Sequence, residues 1–120
     1  MSDYKKALMN ALLGLGSLAS VSILWQEPAL LVVILITFSL LMLKVRTEKR
    51  SLIVYLIGFV FGPLAEAVAI SQGAWTYTGY VIPVIEIPIW LPFLWANAAL
   101  FIVNTEKLSN ILFNSKSSKP

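Results

Sequence analysis

Four long apolar runs, separated by short polar stretches, make up most of this chain. They cover residues 7–25, 28–43, 52–70 and 87–103. A helix that crosses a bilayer needs roughly 20 consecutive apolar residues, and each run approaches that length. Only Gln26 and Glu27 separate the first two runs, which predicts a tight antiparallel hairpin. Pro28 suits the first turn of the second helix, where its missing N–H costs little. The pattern therefore predicts an all-α polytopic membrane protein, a bundle of about four transmembrane helices. One membrane domain spans residues 1–103. A tail over 104–120 is partly amphipathic at Leu108, Ile111, Leu112 and Phe113, then polar. It reads equally as a helix lying along the interface or as a fraying end followed by a disordered Ser115–Pro120.

Charge adds orientation. All nine cations flank the runs: Lys5 and Lys6 before the first, Lys44, Arg46, Lys49 and Arg50 between the second and third, and Lys107, Lys116 and Lys119 after the fourth. The other two connections carry none. The positive-inside rule then places both termini in the cytoplasm of a multi-pass plasma-membrane protein. Trp25, Trp75 and Trp90 fall near the opposite interface, as an aromatic belt does. The first run also resembles a secretory signal peptide, with small residues at Ser17-Leu18-Ala19. It continues past them to Trp25, which favours a retained span.

Composition agrees: 58% of residues are hydrophobic and 12% charged, with a mean hydropathy of +0.83. A soluble domain of this size is far less apolar. The net charge of +3 is explained by topology, so no nucleic-acid partner is inferred. Cysteine and histidine are absent. That removes disulfides, thiolates, imidazole bases and the usual zinc ligands, and no metal or cofactor is implied. The remaining chemistry belongs to carboxylate, phenol, indole, amide and hydroxyl groups.

Glu66 is the one ionisable side chain inside a predicted span. Such residues are costly and mark functional sites by default. Gly58, Gly62 and Glu66 are spaced four apart, so they share one helix face. The glycines admit a close neighbour, which predicts a packing stripe. Pro63 is expected to bend the helix and free a carbonyl. A carboxyl withdrawn from water tends to hold its proton and can act as a general acid. A purely structural role is the alternative, with Asn97 or Tyr55 as hydrogen-bond partner. Gly73 fits a helix C-cap. Beyond it lie Trp75, Tyr77 and Tyr80, either interface anchors or an aromatic wall that stabilises a cation by its ring quadrupoles. Pro83, Pro88 and Pro92 make a broken entry to the fourth helix, with Glu86 where that helix begins. Trp90 extends the aromatic set. Asn97, inside the fourth run, is interhelical glue or a pocket hydrogen-bonder.

These residues resemble the lycopene cyclase domains of bacteria and archaea and the related carotenoid hydratases. The matching positions are Glu66, Gly73, Trp75, Tyr77, Pro88 and Glu86, over about residues 58–103. The cyclase pattern has Pro-x-Glu-Glu in the last helix; this chain has Glu86-Ile-Pro88-Ile-Trp90, with no carboxylate after the proline. The resemblance implies protonation of a polyene and stabilisation of a carbocation without net redox change. On that reading the chain is an enzyme or enzyme subunit acting on an apolar isoprenoid or other lipid. Glu66 is the acid, and Trp75, Tyr77, Glu86, Trp90 and Asn97 line the substrate site. Two alternatives stand beside it: a small multidrug-type, proton-coupled transporter subunit, and a non-catalytic assembly subunit. A homodimer or a partner membrane subunit is expected, because one chain of this size makes only a small pocket.

Overall fold

The computed structural model describes residues 1–117. It is all-helical: α1 Asp3–Leu24, α2 Pro28–Val45, α3 Lys49–Ser71 and α4 Leu91–Ser117. By length and composition, α1, α2 and α3 suffice to cross a membrane. α4 is the exception, because Asn97, Asn104, Glu106 and Lys107 dilute its apolar run. Instead it is the central helix, in contact with each of the other three, while α1 also packs on α2.

Local chemistry sets the helix ends. The Ser2 side chain caps α1 by accepting from the Lys5 N–H at 3.2 Å. Pro28 opens α2 as its first residue. Gly73, at φ 83°, closes α3 with two hydrogen bonds: Ala74 N–H to Ala69 C=O and Gly73 N–H to Ile70 C=O, both 3.0 Å. This is the Schellman pattern, which needs a left-handed residue after the helix and so favours glycine. α3 runs continuously through Pro63.

Two predicted boundaries need correction. α4 begins at Leu91 and not near Ile87, because Pro88–Trp90 form a turn closed by Leu91 N–H to Pro88 C=O at 3.2 Å. α4 also runs on unbroken to Ser117. Residues 104–117 thus continue α4, and residues 118–120, the rest of the segment expected to be disordered, lie outside the described residues.

The surface is far more apolar than that of a soluble protein, and the apolar interior also holds polar side chains. Leu12, Leu18, Val33, Leu40, Phe61 and Val68 are all exposed, whereas Asn10, Ser17, Ser39, Arg46, Asn97 and Asn104 are buried. Large exposed apolar area calls for an apolar surrounding, and a bilayer supplies one. Six of the buried polar residues fall in pairs seven apart, Asn10 and Ser17 on α1, Ser39 on α2 with Arg46 just past its end, and Asn97 and Asn104 on α4, while Ser51 of α3 stands apart. Seven residues make nearly two turns, so the α1 pair and the α4 pair each lie on one helix face.

At mid-height Asn97 joins three helices. Its Nδ2 donates to Ser17 Oγ and to Leu35 C=O, both at 3.1 Å. Its Oδ1 accepts from Ser39 Oγ at 2.6 Å, and Ser39 accepts from the Tyr55 hydroxyl at 2.9 Å. Asn97 and Tyr55 are therefore committed to each other's neighbourhood and do not reach Glu66. Interhelical hydrogen bonds in membranes average about 0.6 kcal/mol. Ser17 also has an intrahelical acceptor at Leu13 C=O, which limits the loss if Asn97 is removed. Asn97→Leu is therefore expected to cost only about 1 kcal/mol, checked by denaturant unfolding in mixed micelles.

The far end is held by Arg46, which is 3% exposed. Its Nε donates to Asn104 Oδ1 at 2.9 Å, and Nη1 reaches Asp3 Oδ1 at 2.6 Å and Glu48 Oε1 at 3.3 Å. Lys107 Nζ lies 4.0 Å from Glu48. The flanking cations thus gather at one end of the bundle. Trp25 packs near Gly79, so the first hairpin turn and the long α3–α4 connection share the other end.

Candidate functional site

Glu66 lies five residues before the end of α3, about 7.5 Å along the helix at 1.5 Å per residue. Its side chain is half-buried. Both carboxyl oxygens are engaged within the chain: Oε1 accepts from the Tyr77 hydroxyl and Oε2 from the Trp95 indole N–H. The two donors come from the α3–α4 connection and from α4, so one carboxyl ties three segments together.

The two donors are not equivalent. An indole N–H can only donate, whereas a phenol can donate or accept. Trp95 therefore fixes Oε2 as an acceptor. At Oε1 the bond to Tyr77 can run in either direction: an ionised Glu66 accepts the phenol's proton, and a neutral Glu66 donates its own to the phenol oxygen. The site accommodates both protonation states by reversing one hydrogen bond.

Tyr77 itself stays a phenol. Burial first, then its hydrogen bond and proximity to Glu66, hold it well above the usual tyrosine range. The unfolded chain releases this proton near pH 10, while the folded chain retains it. Stability from this group is therefore complete below pH 10 and is lost as pH rises above it. Thermal unfolding between pH 9 and 11 should show that fall, and it should be shallower in Tyr77→Phe.

Aromatic packing builds the rest. Trp90 meets Tyr77 edge to face, with ring centroids 6.1 Å apart, a favourable geometry. Trp90 is 6% exposed, so it belongs to the core and not to an interfacial belt. Trp95 occupies the space left by Gly62, where an added Cβ would lie 2.2 Å from the indole Cγ. At Gly58 it would lie 2.7 Å from the Ala99 Cβ. The predicted glycine stripe is thus a packing face, and it is spent on the chain's own α4.

Next to the carboxyl is an apolar cavity of about 400 Å³. Leu91, Leu94, Ala98 and Phe101 of α4 form its floor, Leu15 and Leu18 of α1 one wall, and Glu66, Tyr77 and Trp90 its polar end.

Not every predicted residue is gathered here. Trp75 and Tyr80 are exposed and do not line the cavity. Glu86 is exposed, in a tight turn with φ 58°, where its N–H donates to Ile82 C=O at 2.8 Å. It precedes α4 by five residues and does not sit at that helix's N-terminus. Asn97 belongs to the polar layer below. Trp95 is the addition: a half-buried indole N–H needs an acceptor, and Glu66 is the one carboxylate in the predicted spans, a signal that names the candidates without giving the pairing.

No curated protein and no solved structure matches the chain, and these comparisons give no support to the resemblance to lycopene cyclases and carotenoid hydratases. One family matches almost end to end, over residues 4–119, and the chain belongs to it: the family described as "Protein of unknown function (DUF817)".

Proposed function

We propose that this protein is an integral-membrane enzyme, or the catalytic subunit of one, that protonates an alkene in an isoprenoid-type lipid. The observation that carries the reading is the placement of Glu66. It is the one carboxyl inside a span, it meets a reversible proton partner in Tyr77, and it lines the end of an apolar cavity. A proton leaving Glu66 Oε1 forms a C–H bond with the alkene's π electrons and leaves a cation on the adjacent carbon. The rings of Tyr77, Trp90 and Trp95 stand beside that charge; a dry cation–π contact is worth about 2 kcal/mol. The cation then loses a proton back to the carboxylate, giving an isomerised or cyclised product. Alternatively it takes water and releases a proton, giving an alcohol. Neither route needs an oxidant or a reductant.

The hydrogen bonds of Glu66 are completed within one chain, so the acid needs no second subunit to hold it. In the transporter alternative the same carboxyl exchanges protons for a cationic substrate; in the assembly alternative it only pins the α3–α4 connection. Mass spectrometry of lipid extracts separates them. A carotenoid-accumulating host expressing the wild type should contain a cyclised or hydrated species that is missing with Glu66→Gln. Identical extracts from well-expressed proteins would sink the reading of this chain as an enzyme on its own, and proton-coupled uptake into vesicles would then identify a transporter.

A further inference from the structure

We infer that the substrate of the Glu66 site enters sideways from the bilayer through the groove between α1 and α4, and that the groove admits the end of one isoprenoid chain. The inference rests on the acid reading above for the chemistry at its polar end, and on separate geometry for the route.

The groove runs along α4 from Leu91 to Phe101, ten residues or about 15 Å at the helical rise. That is half of a hydrocarbon core of about 30 Å, so the ligand occupies a single leaflet, the one on the Glu66 side. At the inner end Phe101 closes the groove by resting on Gly14, where an added Cβ would lie 2.6 Å from the phenylalanine Cβ. Toward the bilayer nothing among the described residues closes it: the wall residues Leu15 and Leu18 are 51% and 59% exposed.

Size limits the occupant. The cavity of about 400 Å³ over about 15 Å leaves a mean cross-section of roughly 27 Å². Carbon atoms in contact lie about 3.5–4.0 Å apart, so one hydrocarbon chain fits and two side by side do not. A chain carbon takes up about the 30 Å³ of a liquid water, which gives room for roughly a dozen carbons; the rest of a longer chain stays in the bilayer. Chemistry selects among single chains. Protonation of a trisubstituted isoprenoid alkene gives a tertiary cation, whereas a straight acyl alkene gives a secondary one. A weak acid such as Glu66 therefore serves the former far more readily.

The test uses the full-length protein in nanodiscs of saturated phosphatidylcholine with a photoactivatable farnesol analogue, labelled sites being mapped by mass spectrometry. Labelling should concentrate on Leu15, Leu18, Leu94 and Ala98, and excess farnesol should suppress it. Ala98→Phe, which fills the floor, and Leu18→Trp, at the lipid-facing mouth where folding is not at stake, should each lower it about fivefold, equivalent to about 1 kcal/mol of binding. Glu66→Gln should leave it in place. Labelling spread evenly over outward-facing leucines, or unchanged by both groove variants, overturns the route. Equal and competing labelling by a photoactivatable palmitic acid overturns the isoprenoid assignment. Groove labelling without any conversion by the wild type leaves the route standing and defeats the acid reading; conversion abolished by Glu66→Gln without groove labelling does the reverse.

Discussion

Glu66→Gln is expected to lower product formation by roughly 10²- to 10⁴-fold, the range that positioned general acids contribute, while the protein still folds. The hydrogen-bond pattern explains why folding survives. Glutamine keeps one acceptor and gains a donor. With its carbonyl toward the Trp95 N–H and its amide toward the Tyr77 oxygen, both neighbours remain satisfied, as they are around a neutral Glu66. The substitution thus removes the transferable proton and keeps the geometry. Turnover measured on the reconstituted protein, beside its melting temperature, separates the two roles. A loss of activity matched by a large fall in stability would mean that Glu66 is a structural tie and nothing more. A glutamine variant of unchanged activity would exclude the carboxyl as the acid.

Gly62→Leu is expected to destabilise the fold by about 3 kcal/mol, the upper part of the usual range for overpacking, and to lower activity as well. The first new atom would lie 2.2 Å from the Trp95 Cγ and 2.6 Å from its Cβ. Those atoms sit at the root of the indole side chain, so rotation of the ring cannot relieve the clash; α3 and α4 must separate. Separation moves the Trp95 N–H away from Glu66 Oε2, which couples a packing defect to the site. Val60→Leu, on the exposed side of the same helix, is the control and should change stability by less than about 0.5 kcal/mol. Denaturant unfolding of both variants in the same micelles gives the comparison. Equal stability of the two would mean that the glycine stripe does not set the distance between α3 and α4.

Much of this architecture is legible in the sequence because its signals are local. Helix existence follows from run length, the break at Gln26-Glu27 from two polar residues, and the end of α3 from Gly73, whose positive φ serves a specific capping pattern. Glu66 is legible because an ionisable group in an apolar run is energetically conspicuous. Pairing is the part that stayed hidden. Asn97, Tyr55 and Trp95 each need a partner, and composition alone does not say which partner lies at the same height on which helix. The seven-residue spacing of Asn10/Ser17, Ser39/Arg46 and Asn97/Asn104 carries that information for the polar layers, once three helices are read together. The start of α4 was obscured by Ile87, Pro88 and Ile89, which continue the apolar pattern while Pro88 and the turn after it exclude a helix. Glu86 was drawn to a helix terminus by that same early boundary. The helical tail was obscured because residues 104–114 are polar enough to read as interfacial, although α4 simply continues through them.

The central position of α4 has a consequence for how the protein is made. α1, α2 and α3 leave the ribosome first, and Ser17, Ser39 and Arg46 find their α4 partners, Asn97 and Asn104, only after the last of the four helices has been synthesised. Until then a three-helix intermediate holds only the polar bonds that bypass α4, Arg46 to Asp3 and Tyr55 to Ser39 among them, and α4, the least apolar of the four, has little reason to partition into lipid alone. Its insertion and its packing are therefore one event. The bundle therefore closes once α4 has been made and not helix by helix, with Asn97 and Asn104 acting as the latches.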